Sequence, residues 1–100
     1  GTGVDGASAA SHLGHARPNP FHPETTVSFT LGAAGPVSAR VYDLSGRVVR
    51  TLLDEPLTPG PHELTWDGTV DGGGAAASGV YFVRVESPAF RATRKLVLLK

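Results

Sequence analysis

The 100-residue chain contains no cysteine and no methionine. Without cysteine there are no disulfide staples, no thiolate metal sites and no cysteine nucleophile. No apolar run approaches the roughly 20 residues that carry a helix across a bilayer, so no transmembrane helix and no membrane insertion are expected. Neither sign of charge is in excess, since nine basic residues balance nine acidic ones. Nucleic acid and anionic membranes both call for a positive surplus, so neither is an expected partner. The start at Gly1, with neither methionine nor signal peptide, reads as a chain cut from something longer. What is present is enough for one domain: 40% apolar and 18% charged residues allow one buried core and exclude wholesale disorder.

Residues 1–16 are mostly Gly, Ala, Ser and His with the single carboxylate of Asp5, and they read as a linker-like N-terminal arm. Leu13 is its one large apolar group apart from Val4. Residues 17–100 carry the fold. Over 25–31 the chain alternates, with Val27, Phe29 and Leu31 on one face and Thr26, Ser28 and Thr30 on the other. Gly32, Gly35 and Pro36 break the pattern, and alternation resumes over 37–43. Asp43, Leu44, Ser45 and Gly46 form a hairpin loop, after which 47–53 returns as a strand. Residues 55–61 read as a connection, 62–66 as a short strand, 67–78 as a loop, and 79–86 and 90–99 as the last two strands. Short strands at this spacing, with turn chemistry between them and no helical stripe, predict an all-β antiparallel sandwich. A further strand before Phe21 would make about seven. The expected core is Val27, Phe29, Leu31, Val37, Val41, Leu64, Trp66, Tyr81, Val83 and Val85.

Four histidines raise a metal reading, but His12 and His15 lie in the arm with no helix to fix their geometry, and His22 and His62 stand apart. Asp67, Gly68, Asp71 and Gly72 suggest a calcium loop only faintly, because the third carboxylate and terminal Glu are missing. Asp and Gly are also what a plain inter-strand loop requires. No serine sits in a nucleophile elbow, and Asp43, Ser45 and Arg47 serve the hairpin. The expectation is a protein that is not an enzyme and needs no cofactor or metal.

Five stretches in order carry a resemblance: the run from Pro18 through Asn19, Pro20, Phe21 and Pro23 to Thr26; Val41 to Val49; Trp66-Asp67-Gly68; Ala77 to Phe82; and Thr93 to Lys100. Together they resemble the C-terminal Ig-like sorting domains of type IX secretion, a family related to the Ig-like domain of the flagellar hook-capping protein. The resemblance implies an Ig-like sandwich, export, and an extracellular or cell-surface location. It also implies a sorting or attachment module whose partners are proteins of the secretion or surface-attachment machinery.

A second reading comes from the residues themselves. The runs at 80–83 and 96–99 are continuous rather than alternating, which places apolar side chains on both faces of a sheet. Either the arm, with Leu13, folds across the outer face, or the arm and β-edges pair with other copies and build an extracellular filament. On both readings the contact residues are expected at Leu13, at Pro18, Asn19, Pro20 and Phe21, and at Lys95, Leu96, Val97, Leu98, Leu99 and Lys100.

Overall fold

A computed structural model describes residues 10–88 and 90–100. Among them are β1 (His12–Arg17), β2 (Thr25–Leu31), β3 (Gly35–Tyr42), β4 (Val48–Leu57), β5 (Gly60–Trp66), β6 (Gly79–Ser87) and β7 (Phe90–Leu98). The strands form two antiparallel sheets, a smaller one in the order β1-β2-β5 and a larger one in the order β4-β3-β6-β7. Their facing sides enclose one core, and the chain is an Ig-like β-sandwich.

Alternation decides which side chains go inside. In β2, Val27, Phe29 and Leu31 are buried while Ser28 and Thr30 are exposed. Register carries the pattern across: Val27 faces Leu64 on β5, and Val41 on β3 faces Val83 on β6. All ten residues expected in the core are buried. At one end an aromatic cluster fills the interior, with the Trp66 ring 5.5 Å from Phe21 and 5.0 Å from Tyr81. The polar ends of these rings find partners. Trp66 Nε1 donates to the Thr69 carbonyl at 2.8 Å, and the Tyr81 hydroxyl donates to the Ala77 carbonyl at 2.6 Å. Two arginines close the sides of the sandwich. Arg50 of β4 donates to Thr69 Oγ1 at 3.3 Å, and Arg94 of β7 donates to the carbonyl of Leu13 on β1.

The structure departs from the sequence reading in two places. The boundary drawn after residue 16 falls inside β1, so the sandwich begins by His12; residues 1–9 of the arm lie outside the described residues. Leu13 and Ala16 both point inward although they are three positions apart, because a bulge lies between them. Gly14 fits there for lack of a side chain: a Cβ would stand 3.0 Å from the Ser28 carbonyl oxygen. The second departure is that β4 runs on to Leu57 and β5 begins at Gly60, so only two residues of the expected 55–61 connection remain outside strands. Pro36 and Pro56 pair with each other in this extension. The extension lies beyond the β3–β6 pairing, which stops at Ser38 and Glu86, so Pro36 leaves no neighbour on that side lacking a donor.

Candidate interaction surface

The residues expected to meet a partner come together, but largely with one another. Asn19 Nδ2 donates to the Lys95 carbonyl at 2.8 Å, and the Val97 N–H donates to Asn19 Oδ1 at 2.8 Å. The backbone continues the contact, with Phe21 N donating to the Val97 carbonyl at 2.8 Å and Leu99 N to the Phe21 carbonyl at 3.0 Å. The Pro18 carbonyl accepts from Thr25 Oγ1. Phe21, Leu13, Leu96 and Leu98 are buried in the core, which corrects their expected role as contact residues. They are the large apolar groups of edge segments, and the cheapest way to remove them from water lies inside their own sandwich. Pro18, Pro20, Lys95 and Lys100 are exposed, Val97 is half-buried, and Leu99 is 53% exposed.

β1 does not lie across the last two strands. It joins the opposite sheet, so the apolar outer side chains of β6 and β7 stay uncovered by it. On that outer face Tyr42 pairs across to Phe82, Phe82 to Lys95, and Val80 to Val97. Val80, Phe82 and Val97 are half-buried, and Val48 at the rim is exposed. Leu44 stands beside them at the tip of the β3–β4 hairpin, 72% exposed. A shallow depression of about 380 Å³ lies between Leu44, Tyr42, Phe82, Arg84 and Thr93.

The loop that displays Leu44 is built rather than slack. Asp43 Oδ1 accepts from the Ser45 N–H at 2.9 Å, the Ser45 hydroxyl at 2.6 Å and the Arg47 N–H at 3.1 Å. Gly46, at φ 88°, takes the left-handed conformation that returns the chain to β4. The Ser45 hydroxyl above all, then the Arg47 N–H, holds the Asp43 carboxyl below its ordinary pKa. Asp67 works the same way in the loop after β5, lowered chiefly by the Thr69 hydroxyl at 2.6 Å. Its carboxylate organises the turn, as the loop reading expects.

Charge on the outer face is uneven. Arg40 of β3 and Arg84 of β6 are direct cross-strand partners. Arg40 reaches Asp54 at 3.7 Å and Arg91 reaches Glu86 at 3.3 Å. Arg84 instead stacks its guanidinium 4.9 Å from the Tyr42 ring centroid.

Tyr42, Leu44, Phe82 and Arg84 were not among the expected contact residues. The signal for Phe82 was the run at 80–83, which puts Val80 and Phe82 outward. For Leu44 it was a large apolar residue inside a polar turn.

Comparison with known proteins bears on the fold and the lineage. The FlgD Ig-like domain matches residues 19–89. Over 55 residues the chain is 44% identical to the Basal-body rod modification protein FlgD of Escherichia coli (strain K12), covering 55% of this chain and 24% of that protein. The chain thus spans about a quarter of that relative's length. Dimeric latent PorU from Porphyromonas gingivalis shares the fold at a TM-score of 0.67 and 24% identity, over 90% of this chain and 9% of that one. PorZ, described as an essential bacterial surface component of the type-IX secretion system of the same organism, does so at a TM-score of 0.57 and 22% identity, over 100% of this chain and 13% of its own. Identities this low speak to the fold alone. The family match covers most of the sandwich, and the chain belongs to the FlgD Ig-like domain family.

Proposed function

We propose that the chain is a non-catalytic sorting or attachment module, of the C-terminal type, in an exported bacterial protein held at the cell surface. In this reading it docks another protein on the outer face of its larger sheet. The observation that carries the reading is that face: apolar and aromatic side chains where water is expected, with Leu44 held out beside them on a rigid hairpin. The family relation supports a part in a multi-protein assembly, and the fold shared with PorZ, itself a bacterial surface component, fits a place at the bacterial surface. The filament reading has no specific support among the described residues, because β1 and the segment at 19–21 pair within the chain.

The test is a reporter protein carrying the chain at its C-terminus, expressed in a bacterium with a type IX system. The parent fusion is expected on the cell surface. The doubly substituted Leu44→Ser, Phe82→Thr fusion, checked for folding by the fluorescence of Trp66, is expected to lose surface retention. Equal retention of both fusions would remove the outer face from the reading.

A further inference from the structure

The outer face has an electrostatic feature that docking by apolar contact leaves unexplained. Arg84 sits directly opposite Arg40, and like charges in that relation destabilise a sheet. On the other side Arg84 pairs with Thr93 and Phe82 with Lys95, so Lys95 is the diagonal neighbour of Arg84, about 7–8 Å away on such a lattice. Three cations therefore cluster on adjoining strands. Asp54 reaches Arg40 alone, and at 3.7 Å. Glu86, also on this face, is engaged by Arg91, and Asp43, which lines the depression, is engaged by Ser45 and Arg47 of its own loop. Among the described residues no carboxylate pairs with Arg84 or Lys95. The Nε of Arg84 is buried and has no hydrogen-bond partner. A guanidinium so placed, half out of water, gains from an incoming carboxylate more than an exposed arginine would.

Arg84 lines the depression between Leu44, Tyr42 and Phe82, with Arg40 opposite Arg84 and Lys95 opposite Phe82 on the flanking strands. We propose that the outer face takes an acidic polypeptide segment of a partner protein, with an apolar side chain seated against Tyr42, Leu44 and Phe82 and a neighbouring Asp or Glu carboxylate on Arg84 and Lys95. The proposal rests on the docking reading above and gives its partner a chemistry. A polypeptide fits better than a polyanion. The chain's formal net charge is zero, so it lacks the long-range field that draws nucleic acid or lipid headgroups. The attraction is local, a few cations beside an apolar seat, and that is the pattern of a protein–protein contact with a charged rim.

The experiment is a titration of the isotopically labelled 100-residue chain, followed by amide NMR shifts. The probes are a capped peptide alternating Glu with Leu and Phe, the same peptide with Lys for every Glu, the same peptide with Ser for every Leu and Phe, and vesicles of phosphatidylserine and phosphatidylcholine. The acidic apolar peptide is expected to shift the amides of Tyr42, Leu44, Phe82, Arg84 and Lys95. Arg84→Gln should weaken it roughly tenfold, as loss of a charge-assisted contact does. The two altered peptides should bind at least about tenfold more weakly. Lys-peptide binding on the same amides with equal strength would overturn the acidic partner while leaving the docking face standing. Vesicles that shift these amides where the acidic peptide does not would move the assignment to lipid and overturn it. Shifts confined to another face would overturn both. Silence from every probe at millimolar concentration would overturn the acidic partner, and the surface-retention assay would decide the docking reading separately.

Discussion

Replacing Phe21 by Ala tests whether the segment before β2 belongs to the core of its own chain. Phe21 is 2% exposed and packs on Trp66 at 5.5 Å. Truncating a buried Phe costs about 3–5 kcal/mol, and the aromatic pair accounts for about 0.5–1.5 of it. The backbone bonds of residue 21 to Val97 and Leu99 use no side-chain atom and survive the substitution, so a loss of about 3–4 kcal/mol is expected. Domains of this size are stable by about 5–15 kcal/mol, so the variant should stay folded but marginal. At about 4–8 °C per kcal/mol, its melting point should fall by roughly 12–32 °C. Urea unfolding read by Trp66, the single tryptophan, gives the number directly. The midpoint should also be the same at protein concentrations about tenfold apart, because unimolecular folding has no concentration term. A loss under about 1 kcal/mol would refute the burial of Phe21. A midpoint that climbs with concentration would show the ring inserted into a neighbouring copy.

Leu98 and Val97 are adjacent but should respond oppositely to charge. Leu98→Asp, at a position 1% exposed, should abolish the cooperative urea transition, whereas Val97→Lys on the outer face should change stability by less than about 1 kcal/mol. The Asp43 carboxyl is held lower in the folded chain than in the unfolded one, so the folded state binds fewer protons. Its contribution is present above the unfolded value and is lost as pH falls below about 4. Asp43→Asn should therefore flatten the acid limb of the melting temperature against pH below about 4, and an unchanged limb would show that the loop bonds do not hold in solution. Light scattering at low micromolar concentration should give a monomer, with fibres in electron micrographs as the contrary result.

The legible parts of the fold were those where the period-two rule holds without interruption. β2 and β5 announce their buried faces by spacing alone. β1 is the further strand expected before Phe21, but its bounds were hidden for physical reasons. Its inward pair, Leu13 and Ala16, spans a bulge, and its approach to β2 demands a glycine that reads as linker. Prolines hid the end of β4, since Pro56 signals a turn unless one knows that its partner there is another proline. The candidate surface was half legible. The continuous run at 80–83 marked apolar side chains on both faces of β6, but the same logic applied to 96–99 named Leu96 and Leu98, which are core. A run cannot show which of its two sides faces inward until the partner strand fixes the register.

Asn19 has a consequence for copies held close together. Its side-chain amide offers the β7 edge one carbonyl and one N–H, just as a neighbouring strand's peptide group would. Phe21 engages the next positions along, so from residue 95 to 99 the groups that could template another strand are occupied by a short detour of the same chain. Molecules tethered in a dense array meet at far higher local concentrations than free ones, and open sheet edges are what turns such crowding into aggregation. With this edge sealed by a carboxamide, a packed layer of these domains can remain a layer of separate particles.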